Sequence, residues 1–180
     1  MTSQAGGGWD LAALPLFAGV SAADIVTIAP LATVIDYPAD SIIFAEGDPA
    51  DALYVVLRGQ VAIQCCNRWG QEQTLASLGS GAMLGEVALL TDEPRAGTAV
   101  TVVDTTVLRL THESFMALLK QGSGVGHQIL YNLARGLASR LGEVAQRLMR
   151  LLADQSQVRI VPQEDELDEL RRKLLTDWKF

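Results

Sequence analysis

The sequence predicts a mainly β domain with flanking helices, folded as an antiparallel jelly-roll barrel (a double-stranded β-helix). Short β-rich runs alternate with turn residues at regular spacing from Leu31 to Leu110, a pattern typical of antiparallel barrels and jelly rolls. Helical periodicity precedes this region and returns after it. The 180 residues, 49% of them hydrophobic, are enough for one ordinary domain with a sizeable core.

The strand predictions rest on runs rich in β-branched and aromatic residues, bounded by Gly, Pro, Asn and Asp. These runs are residues 33–37, 41–44, 53–57, 61–65, 74–78, 98–103 and 106–110. Ahead of them, Ser21 followed by Asp24 resembles a capping box and predicts a helix that Pro30 ends.

Two helices are predicted after the last strand. Thr111 is a suitable N-cap for a short helix that Gly122 closes, and a long helix follows from about Val125 to Ala153. The large apolar residues of the long helix recur every 3.5 residues on average, the period of a two-helix seam. They are Leu130, Leu133, Leu137, Leu141, Val144, Leu148 and Leu151. We therefore expect a homodimer through this helix; the alternative is a helix that packs on its own barrel.

The domain boundaries follow from these elements. Residues 1–10 are predicted to be a flexible N-terminus, and residues 11–153 the domain, including the long helix at about 125–153. Residues 154–180 are predicted to be a linker and a short amphipathic helix. This tail contains an acidic block and no second helix with recognition character, and the net charge is −7, so direct DNA binding is not expected.

Membrane insertion and catalysis are not expected either. The apolar stretch 11–35 lacks a basic flank and is interrupted by proline, glycine and aspartate, so no membrane span is predicted and the expected location is cytoplasmic. Two adjacent cysteines, Cys65 and Cys66, give no disulfide framework. The two histidines, His112 and His127, fall on predicted helices and form no metal or catalytic constellation, so neither an enzyme nor a cofactor is predicted.

The segment from Leu84 to Thr98 carries the binding chemistry. Gly85 permits a tight turn, and the helical turn beginning at Glu86 presents free backbone N–H groups that favour an anion. Arg95 adds a planar cation suited to a phosphate, and Glu86 adds an acceptor for a sugar hydroxyl. The alternative interpretation is an ordinary Glu86–Arg95 surface ion pair.

This segment resembles the phosphate-binding cassette of the cyclic nucleotide-binding domain family, which includes catabolite activator protein and the regulatory subunits of protein kinase A. The matching residues are Gly85, Glu86, Ala88, Arg95, Ala96, Gly97 and Thr98. The likeness extends to the stretches 14–17, 44–48, 53–59 and 70–75, and covers about residues 11–153.

The resemblance implies that Glu86 accepts from the ribose 2′-hydroxyl and that Arg95 binds the cyclic phosphate. Backbone N–H groups would complete the anion cradle. The implied ligand-binding residues are Leu84, Gly85, Glu86, Val87, Ala88, Arg95, Ala96, Gly97 and Arg140. Alanine at position 96 is frequent in the family's cyclic AMP sites, where many cyclic GMP sites have Ser or Thr, so cyclic AMP is favoured and cyclic GMP is the alternative.

Two positions depart from the family pattern. Gly97 replaces the usual alanine, and Arg140 with Leu141 stands where Thr or Ser would donate to the purine. Arg140 could stack on the base or be a solvated helix charge.

The function predicted is a cyclic nucleotide sensor that signals by helix movement to an effector protein. The alternatives are a dimeric scaffold that binds no ligand or cyclic di-GMP, and a transcription regulator of the activator type without its own DNA-binding module.

Overall fold

The computed structural model describes residues 2–4, 8–66, 70–91, 93–120, 122 and 124–155. The strands within these ranges are β1 Thr2–Gln4, β2 Ala32–Tyr37, β3 Ile42–Phe44, β4 Ala52–Arg58, β5 Val61–Cys66, β6 Glu72–Leu78, β7 Met83–Leu84, β8 Thr98–Thr101 and β9 Thr105–Thr111. The α helices are α1 Ala22–Ile28, α2 Glu86–Thr91, α3 His112–Lys120 and α4 Gly124–Gln155. Short 3-10 turns lie at Leu11–Ala13, Pro15–Phe17 and Ala29–Leu31. The amphipathic helix predicted at 163–180 lies outside the described residues.

The strands form two antiparallel sheets, and the prediction of a jelly-roll fold is confirmed. One sheet has the order β1-β2-β9-β4-β7 and the other β3-β8-β5-β6. β1 lies inside the predicted flexible start, where Thr2–Gln4 pair with β2. β5 pairs with the next strand β6, whereas other neighbours are far apart in sequence, as β2 with β9 and β3 with β8, which is the non-local pairing of a jelly roll.

β4 is buried on both faces because it separates two cores. Leu53 and Val55 are fully buried on the side that packs against the helices. Tyr54 and Val56 alternate with them and face the second sheet. Burying each such side chain contributes roughly 1.5–3 kcal/mol to the free energy of folding, which explains why β4 is a continuous apolar run.

The predicted helix caps are present. The Ser21 side chain accepts from the Asp24 N–H at 3.1 Å at the start of α1. Thr111 Oγ1 accepts from the Ser114 N–H at 3.1 Å at the start of α3. Gly122 follows α3 with φ of +65°, a conformation that glycine adopts without strain.

The first turns of α4 pack into the same unit as the barrel. Residues 1–136 form one compact unit and residues 137–180 a second. Within the first unit, Ile129 and Leu133 are fully buried in the core beside β4. Asn132 between them is 5% exposed, and its amide donates to the carbonyls of Leu16 and Ala18, both at 2.9 Å. Asn132 thereby fastens the N-terminal 3-10 turn to α4.

The later part of α4 belongs to the second unit and has a different surface. Its apolar residues Leu141, Val144, Leu148 and Leu151 are between 55% and 61% exposed. The predicted seam therefore has two parts. Leu133 is buried in the core of its own chain, whereas the seam positions from Leu141 onward are exposed. No helix among the described ranges is both long and apolar enough to cross a bilayer.

The Asn132 fastening gives a stability prediction. Asn132→Ala removes two hydrogen bonds and takes away the Asn132 donor of the buried Leu16 carbonyl, whereas Gln128 still donates to the Ala18 carbonyl. The free energy of unfolding should therefore fall by about 1–3 kcal/mol. Urea unfolding followed by circular dichroism measures the change. The exposed control Ser139→Ala should alter stability by less than about 0.5 kcal/mol. Equal effects of the two substitutions would contradict the assignment.

Candidate functional site

The turn between β7 and α2 requires glycine for two reasons. Gly85 has φ of +79°, a region that other residues rarely adopt. A Cβ added there would also collide with Nη1 of Arg95 and lie 3.3 Å from the carbonyl oxygen of Ala52. Leu84 just before it is 1% exposed, so the turn is anchored in the core. The conformation of Gly85 and the position of Arg95 are consequently coupled.

Arg95 is the central group of the site. Its side chain is only 1% exposed. Nη1 donates to the Gly85 carbonyl at 2.9 Å, and Nη2 donates to the Ala52 carbonyl at 2.5 Å and to Asp51 Oδ1 at 3.1 Å. Within the described part of the chain, the buried Nε–H of Arg95 has no hydrogen-bond acceptor. An unsatisfied buried donor costs about 1–3 kcal/mol, so this N–H is suited to an incoming acceptor.

Two aromatic rings hold the plane of the guanidinium. Its Cζ lies 4.4 Å from the centroid of Phe44 and 5.9 Å from that of Tyr54. The two rings are themselves 5.8 Å apart at an angle of 34°. Cation–π contact of this kind stabilises a guanidinium that has left water.

A second arginine shares the carboxylate of Asp51. Nη2 of Arg109 donates to Asp51 Oδ2 at 2.6 Å, whereas Arg95 uses Oδ1. Partial burial by itself would raise the pKa of the Asp51 carboxyl, but the hydrogen bonds and charges of Arg109 and then Arg95 hold that pKa below its ordinary value. Burial likewise would lower the pKa of Arg109, and its hydrogen bonds to Asp51 and Tyr54 raise it.

The other predicted residues fall on both sides of Arg95. Glu86, the first residue of α2, is 2% exposed, and Val87 is 49% exposed. Ala88 lies within α2. Ala96 is exposed, and Gly97 is buried with its backbone against β5. An alanine methyl at position 97 would lie 2.9 Å from the Gln64 carbonyl oxygen, which explains why glycine stands here.

The structure therefore brings the segment Leu84–Ala88 together with Arg95 and its two successors in one place. Arg140 lies on α4 in the second compact unit, so its assignment to a ligand base rests on the sequence resemblance alone. Within the described ranges, no group of three or more His, Cys, Asp or Glu residues could hold a metal ion.

The partners of Arg95 were not predicted from the sequence. Asp51 and Ala52 precede Arg95 by more than 40 residues, and Arg109 lies on another strand. No local spacing connects them, because the pairing of β4 with β9 sets Arg109 opposite Tyr54, and from there its side chain reaches Asp51 just before β4. The sequence does place an acidic residue, Asp51, directly before an apolar strand, and this could have marked Asp51 as a partner for a buried cation.

Comparison with known proteins gives a consistent result. Residues 34–122 match the family model described as "Cyclic nucleotide-binding domain", a range that includes the whole of the site except Arg140. Cyclic AMP receptor protein from Thermus thermophilus is 40% identical over 124 residues, covering 69% of this chain and 56% of that protein. The cAMP-dependent protein kinase regulatory subunit of Aspergillus niger is 37% identical over 106 residues, or 59% of this chain and 25% of that protein.

A solved structure resembles the fold over a similar extent. A cyclic nucleotide-binding domain from Methylobacillus flagellatus superimposes with a TM-score of 0.69 at 26% sequence identity, covering 72% of this chain and 73% of that one. The chain spans little more than half the length of the bacterial receptor protein that it matches.

The Asp51 pair predicts a pH dependence of stability. A carboxyl whose pKa is lower in the folded than in the unfolded state contributes stability above its unfolded pKa, and this contribution disappears as the pH falls through the folded pKa. The difference in unfolding free energy between the wild type and Asp51→Asn should therefore be constant above about pH 5 and shrink below the ordinary aspartate pKa of about 3.9. Denaturant unfolding from pH 7 to pH 3 measures it. A difference that grows on acidification would contradict the pairing.

Proposed function

The chain belongs to the cyclic nucleotide-binding domain family through residues 34–122, and we propose on that premise that it is a sensor of cyclic AMP. The observation that carries the proposal is the state of Arg95. The Arg95 side chain is 1% exposed, and its Nε–H has no acceptor among the described residues. The guanidinium lies next to the Gly85 turn that precedes α2. A cyclic phosphate supplies an anionic oxygen to this N–H.

Binding would exchange partners around Arg95. The guanidinium now donates to two carbonyls and to Asp51, which is 56% exposed. A phosphate that takes the Nε–H and draws the guanidinium toward itself competes with those acceptors. Glu86 at the start of α2 then receives the ribose 2′-hydroxyl, and the amides of Gly85 to Ala88 and of Ala96 and Gly97 face the phosphate oxygens, as the family pattern implies.

Cyclic AMP is the proposed ligand for two reasons. Alanine at position 96 is the residue that the family often has in cyclic AMP sites. The names of the Thermus and Aspergillus relatives both refer to cyclic AMP. The family pattern implies a base contact for Arg140, where the family more often has a hydroxyl donor; cyclic GMP is the competing ligand.

The proposed signal is a shift between two conformations of the chain. Gly85 connects Arg95 directly to α2, so a change in the Arg95 hydrogen bonds changes the turn from which α2 starts. A ligand shifts such an equilibrium only by its differential affinity for the two states. We propose that an effector protein in the cytoplasm reads the resulting surface and that this chain does not contact DNA directly.

One observation favours a second candidate, a dimeric scaffold that needs no ligand. Arg95 already has three acceptors within its own chain, so the site is stable when empty. A thermal-shift panel with cyclic AMP, cyclic GMP and cyclic di-GMP separates the candidates, because a ligand that binds the native state raises Tm. A rise with cyclic AMP supports the sensor. A rise with none, or with cyclic di-GMP alone, supports the scaffold.

The Arg95 assignment gives a binding prediction. Arg95→Ala removes a charge-assisted phosphate contact, so the Kd for cyclic AMP should increase about 30- to 1000-fold, corresponding to about 2–4 kcal/mol. Isothermal calorimetry measures the Kd, and circular dichroism with thermal unfolding establishes that the variant is folded. Arg58→Ala, which removes an exposed arginine of β4, is the matched control and should leave the Kd within about twofold. Unchanged affinity of a folded Arg95→Ala protein would overturn the site.

We also propose that the chain forms a homodimer through the exposed stretch of α4. Leu141, Val144, Leu148 and Leu151 keep the 3-4-3 spacing of a coiled-coil seam and are more than half exposed in the single chain. Four apolar side chains at this spacing match a second copy of the same helix, because each seam residue then packs against its own equivalent.

Charge at the seam should dissociate the dimer. Leu148→Glu places two carboxylates against the paired helix, so the dimer Kd should rise at least about tenfold. Sedimentation velocity across micromolar concentrations measures the oligomeric state. Gln146→Glu adds the same charge at an exposed position away from the seam and should leave the dimer intact. A wild type that stays monomeric, or a dimer unaffected by Leu148→Glu, would refute this interface.

A further inference from the structure

We infer that Arg109 sets the affinity of the proposed nucleotide site by holding the Asp51 carboxylate, so that Arg95 is free to turn to a phosphate. The inference rests on the proposed function. Arg109 is a positioning residue in this account, because it acts through Asp51 and needs no contact with the ligand. It lies on β9 and outside the segment 84–98 that carries the family pattern.

One carboxylate serves two guanidinium groups through different oxygen atoms. Asp51 Oδ2 is 2.6 Å from Nη2 of Arg109, and Oδ1 is 3.1 Å from Nη2 of Arg95. The shorter contact belongs to Arg109, so the carboxylate charge is directed mainly toward β9. Ion pairs with shorter N–O distances are the stronger ones.

The register of β9 against β4 fixes Arg109 in this position. Arg109 and Tyr54 are direct neighbours across the β4–β9 pairing. Arg109 donates to Asp51, and Asp51 and Tyr54 both raise the pKa of Arg109. The ring of Tyr54 in turn lies 5.9 Å from the Arg95 guanidinium. Arg109 is therefore held by two groups that each contact Arg95, and its side chain is 28% exposed, whereas that of Arg95 is 1% exposed.

Asp51 is one carboxylate shared by two guanidinium groups. The cluster of Arg95, Arg109 and Asp51 therefore keeps a net positive charge, which an anionic phosphate can neutralise. Without Arg109, Asp51 would pair with Arg95 alone and neutralise it. A cyclic phosphate would then have to displace a complete ion pair instead of one weak contact, and its affinity would fall.

A double-mutant cycle tests this coupling. The variants are Arg109→Gln, Asp51→Asn and the combination, with the Kd for cyclic AMP measured by calorimetry. Arg109→Gln should weaken binding about 3- to 20-fold in the wild-type background and less than about twofold in the Asp51→Asn background. Arg58→Gln removes the same charge from an exposed position of β4 and is the matched control. Its Kd should equal that of the wild type within about twofold.

A conservative variant guards against a folding defect. Arg109→Lys keeps the positive charge beside Asp51 and loses the planar fork, so its affinity should lie between those of the wild type and Arg109→Gln. Equal affinity of wild type and Arg109→Gln would overturn the inference, as would a loss that persists undiminished with Asp51→Asn, since Arg109 would then act on the ligand directly. Either result leaves the proposed function intact. A wild type that binds no cyclic nucleotide overturns the proposed function and this inference together.

Discussion

A charged guanidinium buried to 1% exposure is the constraint on which the rest of this site depends. Arg95 has left water, so its N–H groups require acceptors from the protein or from a ligand. The Ala52 and Gly85 carbonyls supply two, and they come from the beginning of β4 and from the turn that follows β7. One side chain thus joins two strands of the first sheet to the start of α2. The remaining Nε–H has no acceptor within the described residues, so it can donate to a bound anion.

The surrounding fold explains how such a group is tolerated. Phe44 from the second sheet and Tyr54 from the first lie against the guanidinium, and Asp51 at the rim neutralises part of its charge. The two-sheet sandwich is therefore needed to make the site, since neither sheet alone provides both rings. Within the same unit, Asn132 on the first part of α4 fastens the N-terminal 3-10 turn to that helix.

Much of the fold was predictable from the sequence, and the limits have physical causes. Runs rich in β-branched and aromatic residues, bounded by turn residues, identified most strands, because such side chains pack well on a pleated sheet. The two-residue β7 is too short to form such a run. The run 98–103 was predicted too long because Val102 and Val103 are apolar yet roughly half exposed at a bend. The chemistry of Gly85, Glu86 and Arg95 is local and was visible. The links of Arg95 to Asp51 and of Asp51 to Arg109 arise only from strand pairing, and no linear pattern records them.

On binding, the Arg95 guanidinium is expected to exchange an internal partner for a cyclic phosphate. Nuclear magnetic resonance of the arginine Nε–H groups reports on this directly, with Arg95→Lys used to assign the resonance. Addition of cyclic AMP should shift the Arg95 Nε–H strongly downfield and in proportion to occupancy, because a donor of the cationic guanidinium that has no acceptor within the described residues acquires an anionic one. An Arg95 Nε–H that stays unchanged while cyclic AMP saturates the protein would contradict the account.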